Sequence, residues 1–205
     1  MKVSVITVCY NSAATIETAV QSVVEQSHPD VEYIVVDGAS SDDTLKVLEP
    51  YRSRIDRLIS EPDKGIYDAI NKGIEAATGD VVGLLHSDDL LAHKDTVAHI
   101  VQAFDAPDVD AVYADLEYVD REQPDQVIRY WKSGEYEPGH FIKGWMPPHP
   151  TFYVRKRCYD QLGLYNLDFS ISADYELMLR MIHKQGIQTR YLPEVTVRMR
   201  VGGKS

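Results

Sequence analysis

The chain has 205 residues, of which 44% are hydrophobic and 26% charged, and its formal net charge is −11. This length supports one α/β domain with a sizeable core, and no apolar run reaches the about 18 residues of a membrane span. The acidic balance argues against nucleic acid as a partner and against a broad electrostatic grip on anionic lipid.

Met1 to Val8 is apolar but lacks a small-residue cleavage site, so Val3 to Val8 reads as a first strand, not a signal peptide. Tyr10-Asn11-Ser12 is a turn able to cap the next helix. From Ala13 to Gln26, Ile16, Ala19, Val20, Val23 and Val24 fall at helical spacing. Val31 to Val36 is a second strand, and the polar turn from Asp37 to Thr44 leads into a helix through Leu45, Val47 and Leu48. Strand and helix alternating at this spacing predict βαβ units and a mainly parallel sheet. Leu58 to Ser60 is a short strand, Glu61 to Gly65 a loop and Ile66 to Ala77 a helix. The run from Gly79 to Leu85 predicts a buried strand that stops at His86-Ser87-Asp88-Asp89.

A helix is expected from about Lys94 to Phe104, a strand from Ala111 to Ala114, and a strand or hairpin from Leu116 to Trp131 broken at Arg121 to Pro124. Ser133 to Pro150 is rich in glycine and proline and reads as a functional loop. Thr151 to Val154 is a strand, Ala173 to Lys184 a helix, and Gln188 to Leu192 and Val195 to Val201 close the chain as two strands. Cys9 and Cys158 lack a framework spacing and predict free, buried thiols in a reducing cytosol.

In an open α/β sheet, ligands gather beyond the carboxyl ends of the strands. Asp88 and Asp89 stand at such an end. Two adjacent anions repel unless a proton or cation relieves them, and a divalent cation with oxygen ligands would also hold a diphosphate. The pair equally suits a turn or a helix start. Asp37 and Asp63 can accept hydrogens from a ribose or a base edge; Asp37 also fits an Asx-turn before Gly38, and Asp63 a solvated loop charge. Lys64 and Lys72 are available to phosphate or to solvent. Asp174 opens a helix, where it can cap or serve as a general base, with Glu176 as the competing carboxylate. Arg198, Arg200 and Lys204 beside Gly202-Gly203 can hold a diphosphate or form a frayed tail. His86 is a metal ligand or a packed neighbour, and His149 lines an acceptor side or forms a rigid exposed turn.

Five segments in order carry a resemblance: Val3 to Asn11, Val35 to Ser40, Asp63 to Gly73, Gly79-Asp80 with His86 to Asp89, and Ala173 to Glu176. Together they are similar to the family 2 glycosyltransferases. The resemblance implies a GT-A fold, that is, an α/β, Rossmann-like, mainly parallel mixed sheet flanked by helices. It implies one domain over residues 1–205, with a nucleotide-binding half at 1–115 and an acceptor-binding half at 116–205. It further implies a nucleotide-sugar donor, usually a UDP-sugar, and a divalent Mn or Mg ion. Thr7, Tyr10, Asn11, Asp37, Asp63 and Lys64 would surround the nucleotide. Ser87-Asp88-Asp89 stands where the family has D-x-D, so the first acidic position is a serine. Asp89 is then expected to bind the metal directly, and Asp88 to reach the ribose or bind the metal through water. Asp174 matches the catalytic base of an inverting transfer. No histidine comes after His183, which leaves further coordination to phosphate and water.

The acceptor is expected to be a saccharide or lipid-linked saccharide in surface-polysaccharide synthesis. The expected setting is the cytoplasmic face of a membrane, with peripheral association and a homodimer both compatible. The chain stops soon after Gly202-Gly203, where many similar proteins continue, so an acceptor platform or oligomer contact that is missing or minimal is expected. Two rivals are a non-catalytic nucleotide-sugar-binding domain and a nucleotidyltransferase. The latter would want a glycine- and lysine-rich phosphate loop after the first strand, which Tyr10 to Ala14 lacks.

Overall fold

The computed structural model describes residues 1–106 and 108–202. Gly203 and Lys204 of the basic tail lie outside the described residues. Among the described residues nine strands form one sheet: β1 (Val3–Cys9), β2 (Val31–Asp37), β3 (Arg57–Ser60), β4 (Val81–Leu84), β5 (Leu90–Leu91), β6 (Ala111–Val119), β7 (Val127–Trp131), β8 (Tyr153–Arg155) and β9 (Thr189–Arg200). Their order is β3-β2-β1-β4-β8-β6-β9-β5, with β7 also paired to β6. Parallel pairing dominates through β3-β2-β1-β4 and the long β6–β9 register. β8 is antiparallel to both β4 and β6 and joins the two parallel sets into a mixed sheet.

Alternation along β1 explains how the sheet is buried on both sides. Val3, Val5 and Cys9 face one apolar layer, while Ile6 and Val8 face the other. The first layer receives α1 (Ile16–Val24), α2 (Thr44–Leu48) and α4 (Thr96–Ala103) through Ile16, Val20, Leu48, Val97 and Ile100. The second receives α3 (Ile66–Ala76), α5 (Lys156–Leu162) and α6 (Ala173–Met178) through Ile70, Ile74, Tyr159, Leu177 and Met178. Gly83 in β4 admits the Tyr153 ring, which a Cβ would overlap. Cys9 and Cys158 are buried and free.

Several boundaries differ from the sequence pattern. The two strands expected at the end are one, β9, because a register shift absorbs Pro193 and Glu194 as a bulge between Leu192 and Val195. β6 runs five residues beyond Ala114 and forms a hairpin with β7. The sequence pattern predicts neither α5 nor the two-residue β5; both are too short for a periodicity to show.

A polar clamp closes the end of the sheet opposite the cleft. Glu32 is 5% exposed and accepts from Ser4 Oγ, from the Thr78 N–H at 2.7 Å and hydroxyl at 2.6 Å, and from Lys2 Nζ at 3.1 Å. Burial alone would raise its pKa, but these donors outweigh burial and hold it at about 2, against an ordinary 4.5. Its folded pKa is thus depressed, so its stabilisation is complete above about pH 4.5 and is lost as the pH falls toward about 2. Glu32→Gln is expected to flatten the dependence of the urea midpoint on pH across that window; an unchanged slope would contradict the clamp.

Candidate functional site

The carboxyl ends of β1, β2 and β4 open on one side of the sheet, and the loops after them build the cleft. Asn11, at φ 51°, leaves its side chain pointing into the loop after β2. Its Oδ1 accepts from the Ser41 N–H at 2.9 Å and the Asp42 N–H at 3.3 Å, and its own N–H donates to Ser40 Oγ at 2.8 Å. Asn11 therefore ties two loops together through its Oδ1. Thr7 does not reach the cleft. Its position on β1 places it on the α1 side, fully buried, where its hydroxyl accepts from Tyr33 at 3.1 Å. Its expected contact with nucleotide is corrected to a core role, as the strand alternation dictates.

Asp37 is fully buried. It accepts from Ser60 Oγ at 2.7 Å and from the Ser40 N–H at 3.2 Å, which is the Asx-type turn open from the sequence. It forms the floor of the cleft and holds β2, β3 and the loop after β2 in place. Above it, Gly38 lies between the Asp63 carboxylate and the Tyr10 ring. A Cβ at Gly38 would overlap Asp63 and approach Tyr10 Cδ2 to 3.4 Å. Tyr10 is 59% exposed, and the Asp63 carboxylate takes the Gly65 N–H at 2.9 Å. Tyr10, Gly38 and Asp63 thus form an exposed aromatic face beside an acceptor, a shape suited to a heterocyclic base. Gly38→Ala is expected to displace Asp63 and weaken nucleotide binding by about tenfold or more with little loss of fold. Calorimetric titration of UDP checks this, and unchanged affinity would remove Tyr10–Gly38–Asp63 from the site.

Lys64 is exposed and has no ion-pair partner among the described residues. Lys72 is bound to Glu61 at 2.9 Å, Asp68 at 3.5 Å and the Pro62 carbonyl at 2.9 Å, so its charge is already matched.

Beyond β4, the Leu85 N–H still donates to the Ile6 carbonyl, and the Asp89 N–H then closes a turn on the His86 carbonyl at 3.0 Å. Ser87 Oγ meets Ser12 Oγ at 2.9 Å and fixes this turn to the loop after β1. Asp89 is 1% exposed, and its Oδ1 accepts from the Arg200 N–H at 3.3 Å. Burial first, and then the Asp88 charge, push its pKa well above the ordinary carboxylate range. The Arg200 charge partly offsets this, but its guanidinium makes no hydrogen bond to either carboxylate. It donates to the Asp88 backbone carbonyl at 2.7 Å, the Arg121 carbonyl at 3.0 Å and Thr18 Oγ1 at 3.1 Å. Two adjacent carboxylates, one buried without a charged hydrogen-bond donor, fit a hard divalent cation. No third acid, histidine or cysteine gathers with them at ligand spacing among the described residues.

The sequence leaves Arg200 open between a diphosphate ligand and a frayed tail. In the structure it is 6% exposed at the end of β9 and supports the Asp88–Asp89 turn. Arg198 instead faces Glu117 and Asp125, each at 3.4 Å.

Asp174 lies in the first turn of α6. The N-cap is Ser172 in the left-handed region, with no side-chain capping bond, so Asp174 is not the cap. Its Oδ1 accepts from the Tyr67 hydroxyl at 3.2 Å. Burial and the Asp174 charge raise the Tyr67 pKa, which keeps the phenol a donor. Tyr67 stacks on Tyr165 at 5.7 Å, and the Tyr165 hydroxyl meets His149 Nε2 at 2.7 Å. His149 is 9% exposed, which corrects the exposed-turn reading; burial and then His86 lower its pKa to about 4. His86 packs on His149 at 5.9 Å, and both the Asp88 and Asp174 charges act on it. His86 thus packs against His149. Glu176 is paired with Arg180 at 2.8 and 3.1 Å. Arg180 in turn donates to the Leu162, Gly163 and Leu164 carbonyls. Tyr67 carries no chemical signal of its own in the sequence, although its spacing to Ile70 and Ile74 puts it at the head of the inward face of α3.

The loop from Ser133 to Pro150 packs as an aromatic wall beside α6. Trp145 lies 5.4 Å from both Tyr136 and Phe141, and Phe141 lies 5.8 Å from Tyr175. Trp145 Nε1 donates to the Ser133 carbonyl at 2.9 Å.

Among the described residues, no helix is long and apolar enough to cross a membrane. The chain is similar to the PGL/p-HBAD biosynthesis glycosyltransferase of Mycobacterium bovis (strain BCG / Pasteur 1173P2), with 28% identity over 92% of this chain and 73% of the relative. It is 33% identical to an uncharacterized glycosyltransferase of Mycobacterium tuberculosis (strain CDC 1551 / Oshkosh), over 87% of this chain and 68% of that one. Its fold matches S. aureus TarS in complex with UDP, with a TM-score of 0.74 and 20% identity over 98% of this chain and 61% of that one. It also matches a mannosyltransferase from Pyrobaculum calidifontis in complex with GDP-Man and Mn2+, with a TM-score of 0.75 and 24% identity over 100% of this chain and 58% of that one. These likenesses show the GT-A fold, and the chain spans less than two thirds of either solved chain. The family profile described as Glycosyl transferase family 2 matches residues 4–166, inside which lie the cleft loops and both carboxylates of the turn after β4, and the chain belongs to that family.

Proposed function

We propose that the protein is an inverting glycosyltransferase that moves a sugar from a nucleotide-sugar, a UDP-sugar by preference, to a hydroxyl of a saccharide or lipid-linked saccharide. The observation that carries this reading is the placement of Asp174. It is held by the Tyr67 hydroxyl and is not consumed as a helix cap.

Residues 1–115 hold the donor and residues 116–205 the acceptor. Tyr10 stacks on the base, with Asp63 at its edge and Asp37 supporting the floor. Lys64 meets phosphate. Asp89 and Asp88 hold a Mn or Mg ion, which when bound offsets the charge of the departing nucleoside diphosphate. Asp174 takes the proton of the acceptor hydroxyl. That oxygen forms a bond to the anomeric carbon as the bond from carbon to the diphosphate oxygen breaks, and its electron pair leaves with the diphosphate. Tyr67 aims the Asp174 carboxylate, and the partly exposed Trp145 and Tyr175, backed by the buried Phe141, offer apolar faces to an acceptor ring. Synthesis of a surface polysaccharide or glycolipid on the cytoplasmic side of a membrane suits this chemistry.

The test is a panel of UDP-, GDP- and dTDP-sugars, with thermal shift measured with and without Mn and nucleoside diphosphate release measured with saccharide acceptors. The expected result is a metal-dependent rise in melting temperature with one nucleotide class, and turnover of that donor. No shift with any donor would contradict the reading.

A further inference from the structure

A second cluster of ligating side chains lies at the other end of the β5–β9 ribbon and has no part in the cleft. The Ala92 N–H donates to the Thr196 carbonyl at 2.9 Å and brings His93 alongside β9. His99 faces the same strand from α4. The bulge at Pro193 and Glu194 breaks the regular pleat of β9 and turns Glu194 toward the two imidazoles. Glu194 meets His99 Nδ1 with both oxygens, at 3.0 and 3.1 Å, and His93 Nε2 at 3.9 Å. The two rings are 5.1 Å apart, and one ligand atom from each residue lies within 4.8 Å of the others. All three side chains are partly exposed, so an ion has access.

We infer that His93, His99 and Glu194 form a binding site for a zinc-class divalent ion, separate from the Asp88–Asp89 pair. Two imidazoles and one carboxylate make a borderline-soft donor set that favours Zn, Co or Ni over Mg, with water in the open position. In the metal-free protein the Nδ1 proton of His99 fills the space between ring and carboxylate. The ion would take that place, with His99 as the tautomer that carries its single proton on Nε2 and offers the Nδ1 lone pair to the metal. Bound there, the ion joins the start of α4 to β9, the strand whose end carries Arg200 under the Asp88–Asp89 turn. The site is thus a structural staple between a helix and the strand that supports the cleft. This inference does not depend on the glycosyltransferase reading.

Co(II) titration of the full chain tests it, because bound cobalt of low coordination number absorbs visibly. One equivalent should develop the band in the parent. His93→Gln and His99→Gln should each abolish it, and Asp89→Asn should retain it. Zn at a hundredfold excess over its dissociation constant should raise the parent melting temperature by about 5–10 °C, and this rise should vanish in His99→Gln. Circular dichroism establishes that each variant is folded. The absence of a band in the parent would overturn the site whatever the variants do. A band that survives His99→Gln, or that is lost in Asp89→Asn, would place the ion elsewhere.

Discussion

Asp174→Asn is expected to slow glycosyl transfer by about 10²–10⁴-fold, a barrier increase of roughly 3–5 kcal/mol, with donor binding unchanged. An amide cannot take a proton at neutral pH. Its oxygen still accepts from Tyr67, so the geometry at 3.2 Å can persist. Ser172 holds the N-cap position of α6, so Asp174 contributes to the helix only through its charge in the first turn. Losing that charge costs about 0.3–1 kcal/mol. Glu176→Gln should show the opposite profile. It breaks the pairing with Arg180, which holds the Leu162 to Leu164 carbonyls, and so costs about 0.5–1 kcal/mol of stability with little effect on rate. Initial rates and urea midpoints on both variants separate the two roles. Transfer that survives in Asp174→Asn and disappears in Glu176→Gln would move the base to Glu176. If neither variant matters and the parent turns over no donor, the binding-domain reading gains.

Asp89→Asn is expected to weaken nucleoside diphosphate binding at least about a hundredfold with Mn present and to leave binding in EDTA almost unchanged. The asymmetry arises from the environment of Asp89. Its carboxylate is 1% exposed beside Asp88, and burial raises its pKa well above the ordinary range. The neutral amide removes a buried repulsion, so the metal-free variant should be at least as stable as the parent at neutral pH. Equal loss of affinity in Mn and in EDTA would show that Asp89 does not act through a metal.

The sheet was legible in the sequence because it arises from local periodicity, which also marks where its strands end. Apolar runs ending in Asp37 and in Asp88-Asp89 placed those carboxylates at strand ends, and strand ends in an α/β sheet are where loops converge. What the sequence did not disclose depends on neighbours remote along the chain. Thr7 and Tyr10 differ by one face of a strand and by the point where that strand ends, and only pairing with Tyr33 shows Thr7 buried. Asn11 and Asp37 carry side chains suited to ligand contacts. Both also bond the loop from Ser40 to Asp42, an arrangement that requires the packed β1–β2 pair. The role of Arg200 rests on β9 lying antiparallel to β5, a pairing between segments more than a hundred residues apart that no window of sequence contains. The difference between Asp174 and Glu176 lies in Arg180, one helical turn beyond Glu176, which pairs with Glu176 and holds a distant loop.

The central claim is that the cleft formed after β1, β2 and β4 holds a nucleoside diphosphate with its metal at Asp89. The most direct measurement is a crystal structure grown with UDP and Mn, with an anomalous difference map collected for manganese. The account predicts an anomalous peak beside the Asp89 carboxylate, diphosphate oxygens completing its coordination, and the uracil ring against Tyr10 next to Gly38 and Asp63. A uridine bound elsewhere, or a diphosphate in the cleft with no manganese at Asp89, would contradict it.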